Sequence, residues 1–356
     1  MVIASWKYEP LRSVATLQRG FDLPSRLRKP GAVPIITSSG IEDRHCQAKV
    51  KGPGVVTGRY GTIGEVFFVR DDFWPLNTTL YVRDFHENDP LFISYLLRTI
   101  DFHTHSGKSG VPGVNRNDLH EIVVPLPATK TEQEAIAEAL SDADALIESL
   151  EQLLVKQRQL KQGAMQELLT ARKRLPSFSG EWEGRGLGEI ATANKGSQLS
   201  SGSWSEHGRF AHLNGGISPS GYTDKSNAPG KTIAISEGGN SCGYVQFMSE
   251  PYWCGGHCYS VIPNGIDNRF LYHALKGEEP SIMGLRVGSG LPNVQKTALL
   301  AFILRLPKTP EEQTAIATIL SDMDAEVAEL EAKLAKVRQL RQGMMQELLT
   351  GRIRLV

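Results

Sequence analysis

A chain of 356 residues is about twice a usual domain length, so two or more domains are expected, and 40% hydrophobic with 22% charged residues is ordinary globular composition. Thirty-nine basic and 39 acidic side chains give a formal net charge of zero, which excludes coating nucleic acid or membrane by bulk charge and makes any nucleic-acid contact local. No run approaches the roughly 18 apolar residues of a membrane span, the opening residues lack a secretory pattern, and four cysteines are too few for a disulfide scaffold. A cytoplasmic protein with reduced thiols is the expectation.

Residues 1–130 carry short β-branched and aromatic runs, Val66-Phe67-Phe68-Val69 and Thr79-Leu80-Tyr81-Val82, separated by Gly, Pro, Asn and Asp. The Gly-rich stretch from Thr57 to Gly64 reads as a loop that lets backbone approach a ligand, and Asp89 to Ile100 reads as a short helix. From Thr131 to Leu175 the periodicity changes. Ile136, Leu140, Ala143, Ile147, Leu150 and Leu154 fall at alternating spacings of four and three, the seam of a coiled coil, interrupted afterwards by Gln157 and Lys161. Pro176 to Gly180 reads as the stop of this helix.

Residues 176–309 return to short strands and glycine-rich loops, including Glu237 to Gly243, with a short helix expected over Asn268 to Lys276. A second long helix follows from 310, its seam formed by Ile316, Leu320, Met323, Val327, Leu330, Leu334 and Val337. At 1.5 Å per residue each helix of about 40 residues would be roughly 60 Å long, and one apolar stripe of that length needs a partner. An intramolecular antiparallel pair is expected.

The two halves are copies of one design. Thr131–Leu175 and Glu311–Leu355 align without a gap at an offset of 180, with 28 identities in 45 positions. The globular segments match more loosely, at offsets drifting from 176 to 180: Trp74 with Trp253, Gly64 with Gly243, Leu11, Ala15 and Gly20 with Leu187, Ala191 and Gly196, and Ser109–Val114 with Ser289–Val294. The predicted fold class is therefore α+β: two mixed α/β domains, 1–130 and 176–309, alternating with helical segments 131–175 and 310–356, as a pseudo-twofold repeat. The globular segments carry net charges of +3 and +1 and each helical segment −2, which makes the helices the weaker candidates for nucleic-acid contact.

Four catalytic signals fail on inspection. His105 to Ser109 ends like a phosphate loop, but Phe102 stands where its first glycine belongs. Cys242, Cys254, His257 and Cys258 make half of a zinc site and ordinary buried thiols fit better. Asn88-Asp89-Pro90-Leu91-Phe92 lacks the second proline of an amino-methyltransferase motif. His103 and His105 have no paired nucleophile. No self-contained active site is legible, and no metal or catalytic residue is assigned.

The residues at the ends of the helical copies carry a resemblance. Pro127 and Pro307 each precede a glutamine by six positions (Gln133, Gln313), and the helices close on Met165-Gln166-Glu167-Leu168-Leu169-Thr170-Ala171-Arg172 and Met345-Gln346-Glu347-Leu348-Leu349-Thr350-Gly351-Arg352. This pattern resembles the DNA-specificity subunit of type I restriction-modification enzymes over the whole chain. The resemblance implies two target recognition domains and two helical spacers in a subunit that reads double-stranded DNA without doing chemistry. It also implies two modification (methyltransferase) subunits as partners, to which a restriction subunit can be added. S-adenosylmethionine, Mg2+ and ATP would belong to those partners, with no cofactor on this chain and no membrane association.

Such a subunit would direct adenine methylation, or ATP-dependent cleavage, at a bipartite and asymmetric target with unread base pairs between its halves. Base and phosphate contacts need polar side chains on loops. In the first domain the candidates are Arg19, Arg59, Tyr60, Lys108, Asn115 and Arg116; in the second they are Lys195, His212, Asn214, Asn240, Asn293 and Lys296. Shared polar positions on the helices, Gln159, Gln162, Gln166 and Gln339, Gln342, Gln346, are candidates for holding the modification subunits, because two identical partners need two equivalent seats. The alternative is a coiled-coil adaptor that binds protein and not DNA.

Overall fold

The computed structural model describes residues 6–106, 113–200, 202–288 and 290–355. The chain divides into two compact units, the first formed by Met1–Glu151 with Lys333–Val356 and the second by Gln152–Ala332. Both long helices, Lys130–Leu168 and Pro310–Leu348, contribute one segment to each unit.

In the first unit a four-stranded antiparallel sheet runs in the order Thr16–Arg19, Thr79–Asp84, Gly54–Gly58, Val66–Val69. A three-stranded sheet places Val33–Thr37 between Gly40–His45, antiparallel, and Trp74–Pro75, parallel. Lys7–Pro10 pairs with Val123–Leu126. The second unit repeats every one of these pairings. Its four strands are Ala191–Lys195, Cys258–Pro263, Thr232–Ser236 and Val245–Met248. Phe210–Leu213 lies between Gly221–Thr223 and Trp253–Cys254, and Glu183–Gly186 pairs with Ile303–Leu306.

The loosely matched residues turn out to mark equivalent places. Trp74 and Trp253 both start the parallel edge strand, and Gly64 and Gly243 both adopt positive φ, 89° and 91°. A Cβ on Gly20 would come within 2.0 Å of the Leu76 carbonyl oxygen, and one on Gly196 within 2.2 Å of that of Cys254, so only glycine fits at this crossing.

Each sheet is covered by a short helix, Pro90–Leu97 or Asn268–Gly277, begun by an aspartate N-cap. The Asp89 carboxylate accepts the Phe92 N–H at 2.7 Å and Asp267 accepts that of Phe270 at 2.8 Å. These caps are tied to the long helices: Gln133 accepts the Asp89 N–H at 2.9 Å, and Gln313 accepts that of Asp267 at 3.0 Å. Gln313 also donates to the Pro307 carbonyl at 2.9 Å, which accounts for the six-residue spacing of proline and glutamine.

Within each unit the helix segments run antiparallel. In the first, Arg338 bonds Glu151 at 2.5 Å and Arg341 bonds Asp144 at 2.6 Å. In the second, Arg158 bonds Glu331 at 2.6 Å, and the seam-breaking Gln157 and Lys161 bond Glu326 and Asp324. Ile136, Leu140, Leu150, Leu154, Ile316, Leu320 and Leu334 are buried as the seam requires. Both helices stop before the expected positions 175 and 355. Residues 171 and 351 adopt left-handed backbone (φ 57° at Ala171, 72° at Gly351), and the following segments turn back over the helix ends.

That return brings together residues far apart in the chain. Arg174 forms a two-pronged ion pair with Glu312, Nε at 2.7 Å and Nη2 at 2.8 Å, and Trp182 Nε1 lies 3.4 Å from the same carboxylate. In the first unit Arg354 and Trp6 engage Glu132 in the same way. Glu132 and Glu312 are almost fully buried.

Asp144 and Asp324 are a second equivalent pair. Asp144 accepts the Tyr95 hydroxyl at 2.8 Å, while Asp324 faces the buried His273 at 3.9 Å. Burial pushes the His273 pKa down to about 4. Asp324 and Asp267 oppose that shift; Lys161 and Arg269 add to it. The unfolded chain, with histidine near its ordinary 6.5, therefore binds the proton first as pH falls. His273 is expected to contribute stability fully above pH 6.5 and to lose it toward pH 4, about 2–3 kcal/mol between pH 7 and 4.5. Urea titrations of wild type and His273→Asn at both pH values test this; equal acid losses in the two proteins would refute it.

Candidate nucleic-acid interface

Five of the six candidates in the first domain line one cleft of about 650 Å³: Arg19, Arg59, Tyr60, Asn115 and Arg116, with His105, Gly113, Val114 and Asp118. Arg19 stands at the end of its strand and Arg59 directly after the central strand. The Arg59 guanidinium lies 4.4 Å over the Tyr60 ring. Gly113 passes so close to Tyr60 that a Cβ would sit 2.5 Å from ring carbons. Asn115 accepts the Asn117 N–H at 3.0 Å and starts the helix Arg116–His120, so part of its role is to place Arg116. Three arginines against one aspartate make the cleft electropositive. Lys108 lies outside the described residues.

The second domain builds the corresponding place differently. Lys195, at the strand end equivalent to Arg19, bonds Glu237 at 2.6 Å, and His257 Nδ1 lies 3.6 Å from the same carboxylate. Asn214 accepts the His257 N–H at 3.2 Å. Asn293 exchanges backbone bonds with Val287 and bridges to Gly238. Lys296 opens the helix Lys296–Ala301, exposed, and Asn240 is exposed on the loop beside Gly239. Glu237 and His257 belong to this cluster and were not among the candidates, because cationic and amide side chains are the usual mark of a DNA-reading loop and a carboxylate is not.

His212 departs from the expectation. It is 1% exposed, its ring lies 5.8 Å from that of Trp204, and neither nitrogen has a hydrogen-bond partner among the described residues. Its register opposite Trp253 matches that of Ile35 opposite Trp74, so it fills a core position that the first domain gives to isoleucine. Burial lowers its pKa and favours a neutral ring. As placed, it cannot reach a duplex.

Cys254 and Cys258 are buried and their thiols donate to the backbone oxygens of Cys258 and Tyr259. On the helices, Gln159, Gln162, Gln166, Gln339, Gln342 and Gln346 are all exposed. Gln162 and Gln166 border a groove of about 250 Å³ with Met165, Leu169 and Ile303, and Gln159 borders a shallower one with Leu160 and Gly163. Among the described residues no helix is long and apolar enough to cross a membrane.

Comparison with known proteins agrees with this architecture. The family model described as the type I restriction modification DNA specificity domain matches residues 4–156 and 179–339. A provisionally named type I specificity subunit of Mycoplasma pneumoniae is 33% identical over 172 residues, 48% of this chain and 46% of that protein. The chain thus spans about half the length of that relative. The specificity subunit of the type I restriction enzyme MjaVIII of Methanocaldococcus jannaschii is 24% identical over 299 residues, 74% of this chain and 70% of that one. The crystal structure of the S subunit of the type I restriction-modification system of M. genitalium shares the fold, with a TM-score of 0.78 at 21% identity, covering 98% of this chain and 97% of that one. With two successive matches that together take in most of its length, the chain belongs to the type I restriction-modification DNA specificity family.

Proposed function

We propose that this chain reads double-stranded DNA for a type I restriction-modification complex and performs no chemistry itself. Each recognition domain would engage one half of a bipartite, asymmetric target, with unread base pairs between the halves. The observation that carries this is a pair of equivalent strand-end sites that carry different charged side chains. Arg19, Arg59 and Arg116 line a cleft in the first unit, and Lys195, Glu237 and His257 cluster at the corresponding place in the second. Loop arginines around an open cleft suit phosphate and base-edge contact, and different linings require different sequences.

The helices would seat two modification subunits, which bring S-adenosylmethionine; Mg2+ and ATP would belong to those partners and to a restriction subunit. A repeated surface supports two equivalent seats. Leu160 and Leu340 are 52% and 61% exposed beside Gln159 and Gln339, and Gly163 and Gly343 stand in mid-helix with open space where a Cβ would go. A glycine inside a helix costs about 1 kcal/mol relative to alanine, and nothing among the described residues requires it. Close approach of a partner would. Such a complex would work in the cytoplasm, where the DNA is.

The test is to co-express the chain with its modification subunit and map methylated adenines across the genome. A bipartite, asymmetric motif that vanishes when this chain is omitted is the expected result. Methylation without a motif, from a purified complex, would remove the DNA-reading role and leave a scaffold.

A further inference from the structure

We propose that the two equivalent sites take opposite base-edge chemistry, and that Arg59 and Glu237 decide it. Arg59 selects an acceptor-rich edge, guanine O6 and N7, while Glu237 selects an edge carrying an exocyclic amino group, cytosine N4 or adenine N6. The inference rests on the reading that these sites engage DNA.

Backbone pairing puts the two residues at the same place. The Arg59 N–H donates to the Thr78 carbonyl at 2.8 Å, and the Glu237 N–H to that of His257 at 2.9 Å. The Arg59 carbonyl accepts the Val114 N–H at 2.9 Å, and that of Glu237 accepts the Val294 N–H at 2.8 Å. The next residues bridge in the same manner, Tyr60 to Gly113 and Gly238 to Asn293. Two strands away Arg19 opposes Leu80, and Lys195 opposes Tyr259. One position in one framework therefore carries a guanidinium in the first unit and a carboxylate in the second.

The two groups read different partners. A guanidinium offers donors only, in a planar fork that matches the two acceptors of guanine, and that of Arg59 lies 4.4 Å over the Tyr60 ring. An ionised carboxylate offers acceptors only. Lys195 at 2.6 Å and His257 at 3.6 Å hold the Glu237 carboxylate, whose side chain is 12% exposed. The loop beside it packs on His257 at Gly238, where a Cβ would lie 3.4 Å from Nδ1, and opens at Gly239, where a Cβ would meet nothing within 4 Å, which leaves room for a base edge. The ion pair also offsets the charge of Lys195, as Asp22 at 3.5 Å offsets that of Arg19, so the difference between the two sites rests on Arg59 and Glu237 themselves.

The experiment uses the full chain assembled with its modification subunit and reads the methylated motif together with rates on oligonucleotides varied at each half-site. Arg59→Glu and Glu237→Arg should each change base preference by about 10- to 100-fold in one half only, leaving the other half as in wild type. Glu237→Gln, which keeps the shape and replaces one acceptor by a donor, should lower the preference in its half about 10-fold. It decides the matter if Glu237→Arg fails to fold. An unchanged motif and unchanged rates in both Glu237 variants would overturn the base-edge assignment alone. A wild-type complex with no sequence preference would overturn the DNA reading and this inference with it.

Discussion

Replacing Arg174 with alanine is expected to destabilise the second unit by about 3–5 kcal/mol, because the variant leaves a buried carboxylate with its main partner gone. Glu312 is 2% exposed and receives two guanidinium N–H bonds from Arg174, so little water can replace them. A buried ion pair need not be a net gain over apolar packing, and the penalty comes from breaking it one-sidedly. The double variant Arg174→Met with Glu312→Met should therefore recover much of the loss. Denaturant unfolding followed by hydrogen exchange at the Pro310–Leu348 helix start would measure both. A loss below about 1 kcal/mol, the range of surface pairs, would show that the pair is not the fastener described. The same change at Arg354 should loosen the first unit, where Glu132 is equally enclosed.

The second large effect concerns binding. Removing Arg19, Arg59 and Arg116 together should weaken DNA affinity of the assembled complex by roughly 10²- to 10⁶-fold, on the basis of about 1–3 kcal/mol for each charge-assisted hydrogen bond. The slope of log affinity against log salt should fall by about 2, roughly one each for Arg19 and Arg116, since a phosphate that no arginine neutralises keeps its counterion on binding, whereas Arg59 on a base edge adds little. They line one cleft, which would place all three on a single stretch of duplex. A triple variant with wild-type affinity and salt slope would place the duplex elsewhere. An affinity loss without a change in slope would assign the arginines to base edges rather than phosphates.

Helix periodicity was the most legible feature, because a seam at spacings of four and three is a local property of 39 consecutive residues. The aspartate-capped short helices were legible for the same reason, since Asp89 and Asp267 act within three residues of themselves. Site residues were legible only where their chemistry is cationic and their loop short. The candidates Arg19, Arg59 and Arg116 come together in one cleft, whereas Glu237 carries no cationic mark in the sequence and His212 lies in the core. Nothing in a single strand of alternating residues tells which face is inward when both sheets are covered.

By itself the sequence determined the duplication, the alternation of globular and helical segments, the antiparallel helix pairing and the family, all from residues near one another or at one constant offset. Only the tertiary structure decided that Arg354 is fastened to Glu132, 222 positions away, and that position 237 stands where the first unit has Arg59. The reason is physical. Burial and strand pairing join residues through space, and loops of different length shift their offsets, so that equivalence survives in hydrogen bonds after it has faded from the alignment.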